Sequence, residues 1–244
     1  MLASRAIPDD WLRHLTAGPI GLGLDVATTA NKTSNPSSLV VSQQEGKYIH
    51  ERLVVSWKTS DDRVTKAVVR AVLVQLANRR KRPRALSVDS SNEKFLARQL
   101  QREFTQFCPV RLISSGETTH WKGEDLTYKV LLGNLYSSLY EDALITIPAG
   151  AWIIDDRRLV RRDKGSFSTD LGPNGEHGDT FDGGKLAYWS LCRKGRAELH
   201  AAHISDSPAT PEKNTAAAKG LRNWLARKMG LKTTLQPNSA AFKG

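Results

Sequence analysis

Two short apolar runs in this chain each end in an aspartate, and this pairing narrows the folds open to it more than any other feature. Residues 20–26 alternate glycine with branched apolar residues and carry Asp25, while Ala-Leu-Ser-Val at 85–88 delivers Asp89. Apolar runs of this length, bounded by polar loops, read as buried strands. Residues 39–42 and 48–57 are rich in Val, Ile, Leu and aromatics, with Glu45-Gly46-Lys47 as a turn signal between them, so the first three strands read as an antiparallel meander. After Asp61 and Asp62, the residues Val64, Ala67, Val68, Ala71, Val72 and Leu76 recur at three- and four-residue steps, the mark of a helix with one buried face. Ser90-Ser91-Asn92 opens a second helix over 93–107, residues 109–113 read as a strand, 114–124 as a loop holding His120 and Trp121, and 126–140 as a third helix. Strand, helix, strand, helix after a meander predicts an α/β fold with a mixed β-sheet flanked by helices.

The second half reads less evenly. Residues 143–152 form a short apolar connection broken by Pro148 and Gly150. Residues 153–162 carry Asp155, Asp156, Arg157, Arg158, Arg161 and Arg162, and Lys164-Gly165 turns an extra β-hairpin whose return strand is 166–171. After the Gly172-Pro-Asn-Gly175 turn comes Glu-His-Gly-Asp-Thr-Phe-Asp-Gly-Gly-Lys, which places His177, Asp179, Asp182 and Lys185 at the mouth of an apolar helix running to about Arg193. Residues 1–19, with Trp11 and Leu15 on a short amphipathic helix before Gly18-Pro19, read as a linker or docking segment. Residues 196–244 read as a basic, partly flexible tail with one amphipathic piece at 221–229.

Composition excludes several classes. The longest apolar-rich segment, 67–77, is interrupted by Arg70 and Gln75 and falls short of the roughly 20 residues a membrane span needs. Pro8, Asp9 and Asp10 stand where a signal peptide would be apolar. Cys108 and Cys192, with no Cys-x-x-Cys spacing, make neither a disulfide scaffold nor a zinc site. A soluble protein of a reducing compartment is expected, with no membrane partner. The formal net charge of +11 favours a polyanionic partner through phosphate neutralisation. The basic run Arg79-Arg80-Lys81-Arg82-Pro83-Arg84 is either a solvated helix end or a phosphate contact.

The aspartates carry the chemistry. Residues just past the ends of neighbouring strands converge on one sheet edge, which is where Asp25 and Asp89 belong. Asp179 and Asp182, three apart at a helix start, project to one side. If that helix crosses the sheet edge, four carboxylates surround one small volume. Their mutual repulsion raises each other's pKa unless cations intervene, and hard ions such as Mg²⁺ or Mn²⁺ prefer carboxylate oxygens. Two ions about 3.5–4 Å apart are suited to phosphodiester hydrolysis. His177 reads as a ligand, a proton shuttle or a plain surface residue. Lys185 reads as a phosphate contact or an offset to acidic charge. Asp179 is a ligand or a cap for the helix that holds Asp182.

On these residues the chain resembles the nuclease domain of the large terminase subunit of tailed bacteriophages, a member of the ribonuclease H-like superfamily. Gly23-Leu-Asp25-Val-Ala27 is similar to that family's first-strand motif, Ser87-Val-Asp89 to its fourth-strand acid, and His177-Gly-Asp179-Thr-Phe-Asp182 to its final His-x-Asp-x-x-Asp motif, over residues 20–193. The resemblance implies a ribonuclease H-like nuclease domain over residues 20–195. It makes Asp25, Asp89 and Asp182 the catalytic residues and principal ligands of Mg²⁺ or Mn²⁺, two ions in number, with Asp179 additional or alternative. It sets Arg157, Arg158, Arg161, Arg162 and Lys164 on an extra β-hairpin against DNA. It implies a metal-dependent endonuclease acting on double-stranded DNA in genome packaging, in the host cytoplasm, with an ATPase motor domain, a small terminase subunit and a portal as partners. Two departures stand out. Gly183 follows the last aspartate where the family has Ala, and Gly183-Gly184 costs the helix roughly 1 kcal/mol per residue relative to Ala. No Gly-x-x-x-x-Gly-Lys-Ser/Thr loop is present, so no ATP site is expected; the resemblance then implies either an excised or separately encoded nuclease half or a motor on a different chain, and residues before Pro19 would be the remnant of an interdomain linker. The alternatives are another ribonuclease H-like nuclease, of junction-resolvase or transposase type, and a basic non-catalytic DNA-binding module.

Overall fold

The computed structural model describes residues 7–8, 10–28, 35–163, 166–172 and 177–192, with the backbone alone at 2–3. The expected C-terminal tail, residues 196–244, and the hairpin residue Lys164 lie outside the described residues. Strands β1 (Leu2–Ala3), β2 (Ile20–Asp25), β3 (Ser37–Glu45), β4 (Tyr48–Trp57), β5 (Ala85–Asp89), β6 (Val110–Ile113) and β9 (Ile145–Thr146) form one sheet. Its order is β1-β4-β3-β2-β5-β6, with β9 also on β4. The meander β2-β3-β4 is antiparallel, as expected, whereas β5 joins β2 in parallel and β6 joins β5 in parallel. The helices are α1 (Asp62–Asn78), α2 (Lys94–Phe104), α3 (Tyr128–Glu141), α4 (Ala151–Arg158) and α5 (Asp179–Cys192). This is the expected mixed β-sheet flanked by helices.

Strand β2 organises both faces, because side chains alternate along a strand. Leu22 and Leu24 point to one side, fully buried among Val68, Val72 and Leu76 of α1 and Leu100 and Phe104 of α2. Gly21 and Gly23 point to the other, where α5 lies directly on the sheet. A Cβ added at Gly23 would stand 2.1 Å from the Gly183 carbonyl oxygen and 2.2 Å from the Ala187 nitrogen. Gly23→Ala is therefore expected to force α5 off the sheet and to destabilise by at least the ~1–3 kcal/mol of core overpacking, read from the urea midpoint; an unchanged midpoint would contradict this packing. The Gly183-Gly184 pair has the same cause. A Cβ at Gly183 would meet Ser38 and Val40, and one at Gly184 would meet the Tyr136 hydroxyl at 2.2 Å. The helix gives up propensity so that two neighbours can come close.

Three local expectations are corrected. The loop expected at 114–124 is partly a hairpin, β7 (Thr118–Trp121) with β8 (Glu124–Thr127), because Lys122 and Gly123 both take positive φ, 51° and 93°, and reverse the chain. The apolar connection at 143–152 contains β9, which pairs with β4. Most of the stretch expected to lead into the extra hairpin is α4. Ile153 is buried while Asp155 and Arg158 face outward at helical spacing. The hairpin itself is present but short, β10 (Val160–Asp163) with β11 (Ser166–Thr169). Trp11, in a single 3-10 turn at Trp11–His14, is fully buried in the α1/α2 core, and its indole nitrogen donates to Gln75 Oε1 at 2.5 Å. No helix among the described residues is long and apolar enough to cross a membrane.

Candidate metal centre

Asp25 is two residues beyond Gly23 and shares its face, the one covered by α5. The Leu24–Val88 register brings β2 and β5 to their ends side by side. Ser87 lies on the α5 face, since its hydroxyl meets Ser190 Oγ at 2.7 Å, and Asp89, two further on, shares that face. Helix α5 runs antiparallel to β2, with Gly183 over Gly23 and Leu191 over Gly21. Its N-terminus therefore arrives at the carboxyl ends of β2 and β5. Asp25, Asp89, His177, Asp179, Asp182 and Lys185 all line one cavity of about 510 Å³ there. The sequence-selected group is thus brought together by strand parity and helix direction alone.

The electrostatics follow from that crowding. Burial, then the charges of Asp182, Asp89 and Asp179, push the Asp25 carboxyl well above the usual carboxylate range. Burial and the neighbouring Asp156 charge push Asp179 up to about 7. Lys185 Nζ donates to Asp182 Oδ1 at 2.5 Å with only 9% of its side chain exposed. Burial works against the ammonium, but Asp182, Asp25 and Asp89 outweigh it and hold its pKa above the ordinary value. Lys185 is an internal counter-charge. The donor set, carboxylate oxygens on one cavity whose mutual repulsion Lys185 offsets only in part, is of the kind a hard divalent cation prefers. As they stand, no three metal-ligating side chains among the described residues are gathered closely enough to hold one ion between them.

Two site expectations change. Asp179 is not the cap of α5; its Oδ2 accepts from the His177 amide at 3.2 Å. The capping carboxylate is Asp156 of α4, which accepts from the Gly178 amide (2.9 Å), the Thr180 amide (2.8 Å) and the Thr180 hydroxyl (2.6 Å). Arg157, expected against DNA, points inward instead. Its guanidinium pairs with Glu51 Oε2 at 2.6 Å and donates to the Tyr140 hydroxyl at 2.5 Å, and its side chain is 7% exposed. A fully buried Glu51 on β4 requires such a partner, so Arg157 is committed to the interior. Arg158, Arg161 and Arg162 remain outward, their side chains 76%, 70% and 52% exposed.

Further cavity residues carried no signal of their own in the sequence. Glu93, which accepts from the Thr28 hydroxyl at 2.5 Å, and the exposed Lys129 at the start of α3 both line the wall. Glu93 follows the Ser90-Ser-Asn helix-start signal, so that signal pointed to its place, though not to its direction.

The raised carboxyls have a consequence for stability. Asp179 has an ordinary pKa of 3.8 and a folded value of about 7. Between these limits the native state holds a proton that the unfolded chain releases, so unfolding free energy falls as pH rises from about 4 to about 7. Asp25 acts in the same direction. Urea midpoints of the metal-free protein are expected to decline across this window, and millimolar Mn²⁺ to flatten the decline through linkage. Midpoints that rise monotonically across the same window would contradict the crowding of these acids.

No protein-family model and no curated protein matches this sequence. Among solved structures, the chain is similar to the human cytomegalovirus terminase nuclease domain, with TM-score 0.47 and 11% identity over 72% of this chain and 84% of that one. It is similar to the large terminase of a thermophilic bacteriophage, with TM-score 0.46 and 11% identity over 78% of this chain, which spans only 42% of that one. It is also similar to the large terminase nuclease domain of bacteriophage SPP1 with bound Mn, with TM-score 0.42 and 14% identity over 75% of this chain and 91% of that one.

Proposed function

We propose that this chain is a metal-dependent endonuclease that hydrolyses phosphodiester bonds of double-stranded DNA during viral genome packaging, as the nuclease portion of a terminase large subunit. The observation that carries the reading is the convergence of Asp25, Asp89, Asp179 and Asp182 on one cavity of a chain with net charge +11. Asp25, Asp89 and Asp182 are the catalytic residues and principal ligands, and Asp179 is an additional one, for Mg²⁺ or Mn²⁺, two ions in number. Divalent ions held there supply Lewis-acid stabilisation of the charge that develops on a phosphodiester during hydrolysis.

The chain's own residues orient the reactants. Lys185 keeps the Asp182 carboxylate aligned along the cavity wall. His177 lines the same wall and is assigned the role of proton shuttle for water. Lys129 at the rim meets a phosphate. Arg158, Arg161 and Arg162 contact the duplex backbone beyond the cavity. Arg158→Ala/Arg161→Ala/Arg162→Ala is expected to reduce the slope of log affinity against log salt by roughly 0.9 for each phosphate no longer neutralised; an unchanged slope would remove these three arginines of α4 and β10 from the DNA surface. The natural setting is the host cytoplasm, with an ATPase motor domain, a small terminase subunit and a portal as partners.

The test is cleavage of supercoiled plasmid by the purified chain. Nicking and linearisation in Mg²⁺ or Mn²⁺, abolished by EDTA, are expected. Preference for four-way junctions over duplex would indicate a resolvase-type or transposase-type enzyme. Salt-sensitive DNA binding with no cleavage in either metal would overturn the enzyme reading in favour of a binding module.

A further inference from the structure

We propose that Asp156, supported by Arg157, is a positioning residue for the metal centre: it fixes the first turn of α5 and thereby sets Asp179 and Asp182 against Asp25 and Asp89. The inference rests on reading the cavity as a metal centre. Asp156 is 3% exposed and lines no part of the cavity wall. Its carboxylate instead meets three donors at the start of α5, Oδ1 taking the Gly178 amide and Oδ2 taking both the amide and the hydroxyl of Thr180.

The adjacent Arg157 holds the other side of the same residue. Its Nη2 donates to the Thr180 carbonyl at 3.3 Å and its Nε to Thr180 Oγ1 at 3.3 Å, while Glu51 anchors the guanidinium from the sheet. Thr180 is thus gripped at its amide, hydroxyl and carbonyl by two consecutive residues of α4, and it lies between the two acids of α5. Backbone freedom just before it is also removed. Gly178 has φ +75°, and an added Cβ would stand 2.4 Å from Val160 Cγ2 and 3.1 Å from Thr169 Cγ2, so the β10-β11 hairpin closes on the same turn. Helix N-termini leave amides without partners, and a neutral cap would satisfy one or two of them. Serving three donors from one side requires two acceptor oxygens, which an aspartate has and an asparagine lacks. Charge-assisted bonds of this kind are short and directional. Groups that orient ligands in this way typically govern metal affinity by roughly 10–100-fold.

The experiment uses the full chain. Mn²⁺ affinity is measured from the electron paramagnetic resonance signal of the free ion, and amide hydrogen exchange is followed in metal-free protein. Asp156→Asn is expected to weaken Mn²⁺ binding at least tenfold, to recover part of its cleavage rate at high Mn²⁺, and to speed exchange of the Gly178 and Thr180 amides. Thr180→Val is expected to weaken binding about threefold and Thr180→Ser to leave it unchanged; this pair decides the matter if Asp156→Asn does not fold. Val72→Ala, in the α1 core away from the site, serves as a destabilised control and is expected to keep wild-type Mn²⁺ affinity. Folded Asp156→Asn or Thr180→Val binding Mn²⁺ as tightly as wild type, or Val72→Ala losing affinity in parallel, would overturn the proposal. Wild-type protein that binds no Mn²⁺ and cuts no DNA is a separate result, and it would overturn the metal-centre reading itself.

Discussion

Asp25→Asn, Asp89→Asn and Asp182→Asn are each expected to yield folded protein whose Mn²⁺-dependent plasmid cleavage falls by about 10³-fold or more. The magnitude follows from losing several kcal/mol of charge stabilisation at the reacting phosphate. Stability should move the other way for Asp25. Its carboxyl is pushed up by burial and by three neighbouring acids, so replacing it with a neutral isostere relieves repulsion in metal-free protein. A gain of about 0.5–2 kcal/mol at neutral pH is expected, the usual signature of a site built for function rather than stability. Asp182→Asn differs because Lys185 loses its close partner, and no comparable gain is expected there. Urea denaturation without metal, alongside the cleavage assay, separates the two variants. Asp25→Asn that is both fully active and no more stable would remove Asp25 from the centre.

The second large effect concerns the interior. Arg157→Met is expected to destabilise by about 3–5 kcal/mol, because it strands the fully buried Glu51 carboxylate without its cation. Glu51 also accepts from the Tyr136 hydroxyl, which in turn is within 3.3 Å of the Tyr140 hydroxyl, so the loss spreads through a buried network. Removing both charges together, in Arg157→Met/Glu51→Leu, should recover much of that loss, since a buried pair is worth little relative to apolar groups of similar volume. DNA affinity of the folded Arg157→Met fraction should retain the wild-type salt slope, because this guanidinium reaches no phosphate. A mild stability loss with a reduced salt slope would instead return Arg157 to the DNA surface.

The contrast between these two results follows what the sequence discloses. Asp25 and Asp89 were legible because strand ends are marked by short-range pattern: an apolar run, a polar loop and a fixed two-residue alternation. Asp179 and Asp182 were legible because three-residue spacing at a helix start leaves little freedom of direction. The inward turn of Arg157 was not legible. Its partner Glu51 is 106 positions away, and nothing in Asp-Asp-Arg-Arg itself marks one arginine as having a buried partner. The cap of α5 escaped for a similar reason, as Asp156 reaches donors 22 and 24 residues later, across an intervening hairpin. The glycines of α5 read locally as a weakness, and only the approach of Tyr136 and β3 explains them. Features set by one element's own periodicity could be read; those set by which element lies opposite could not.

The most direct test of the metal centre is a crystal grown or soaked with Mn²⁺ and measured at the manganese absorption edge. Anomalous peaks are expected in the cavity, coordinated by Asp25, Asp89 and Asp182, at Mn–O distances of roughly 2.1–2.2 Å, as for a hard ion of this size. A cavity without anomalous density at Mn²⁺ concentrations that support cleavage, or peaks bound elsewhere with these three carboxylates apart, would contradict it.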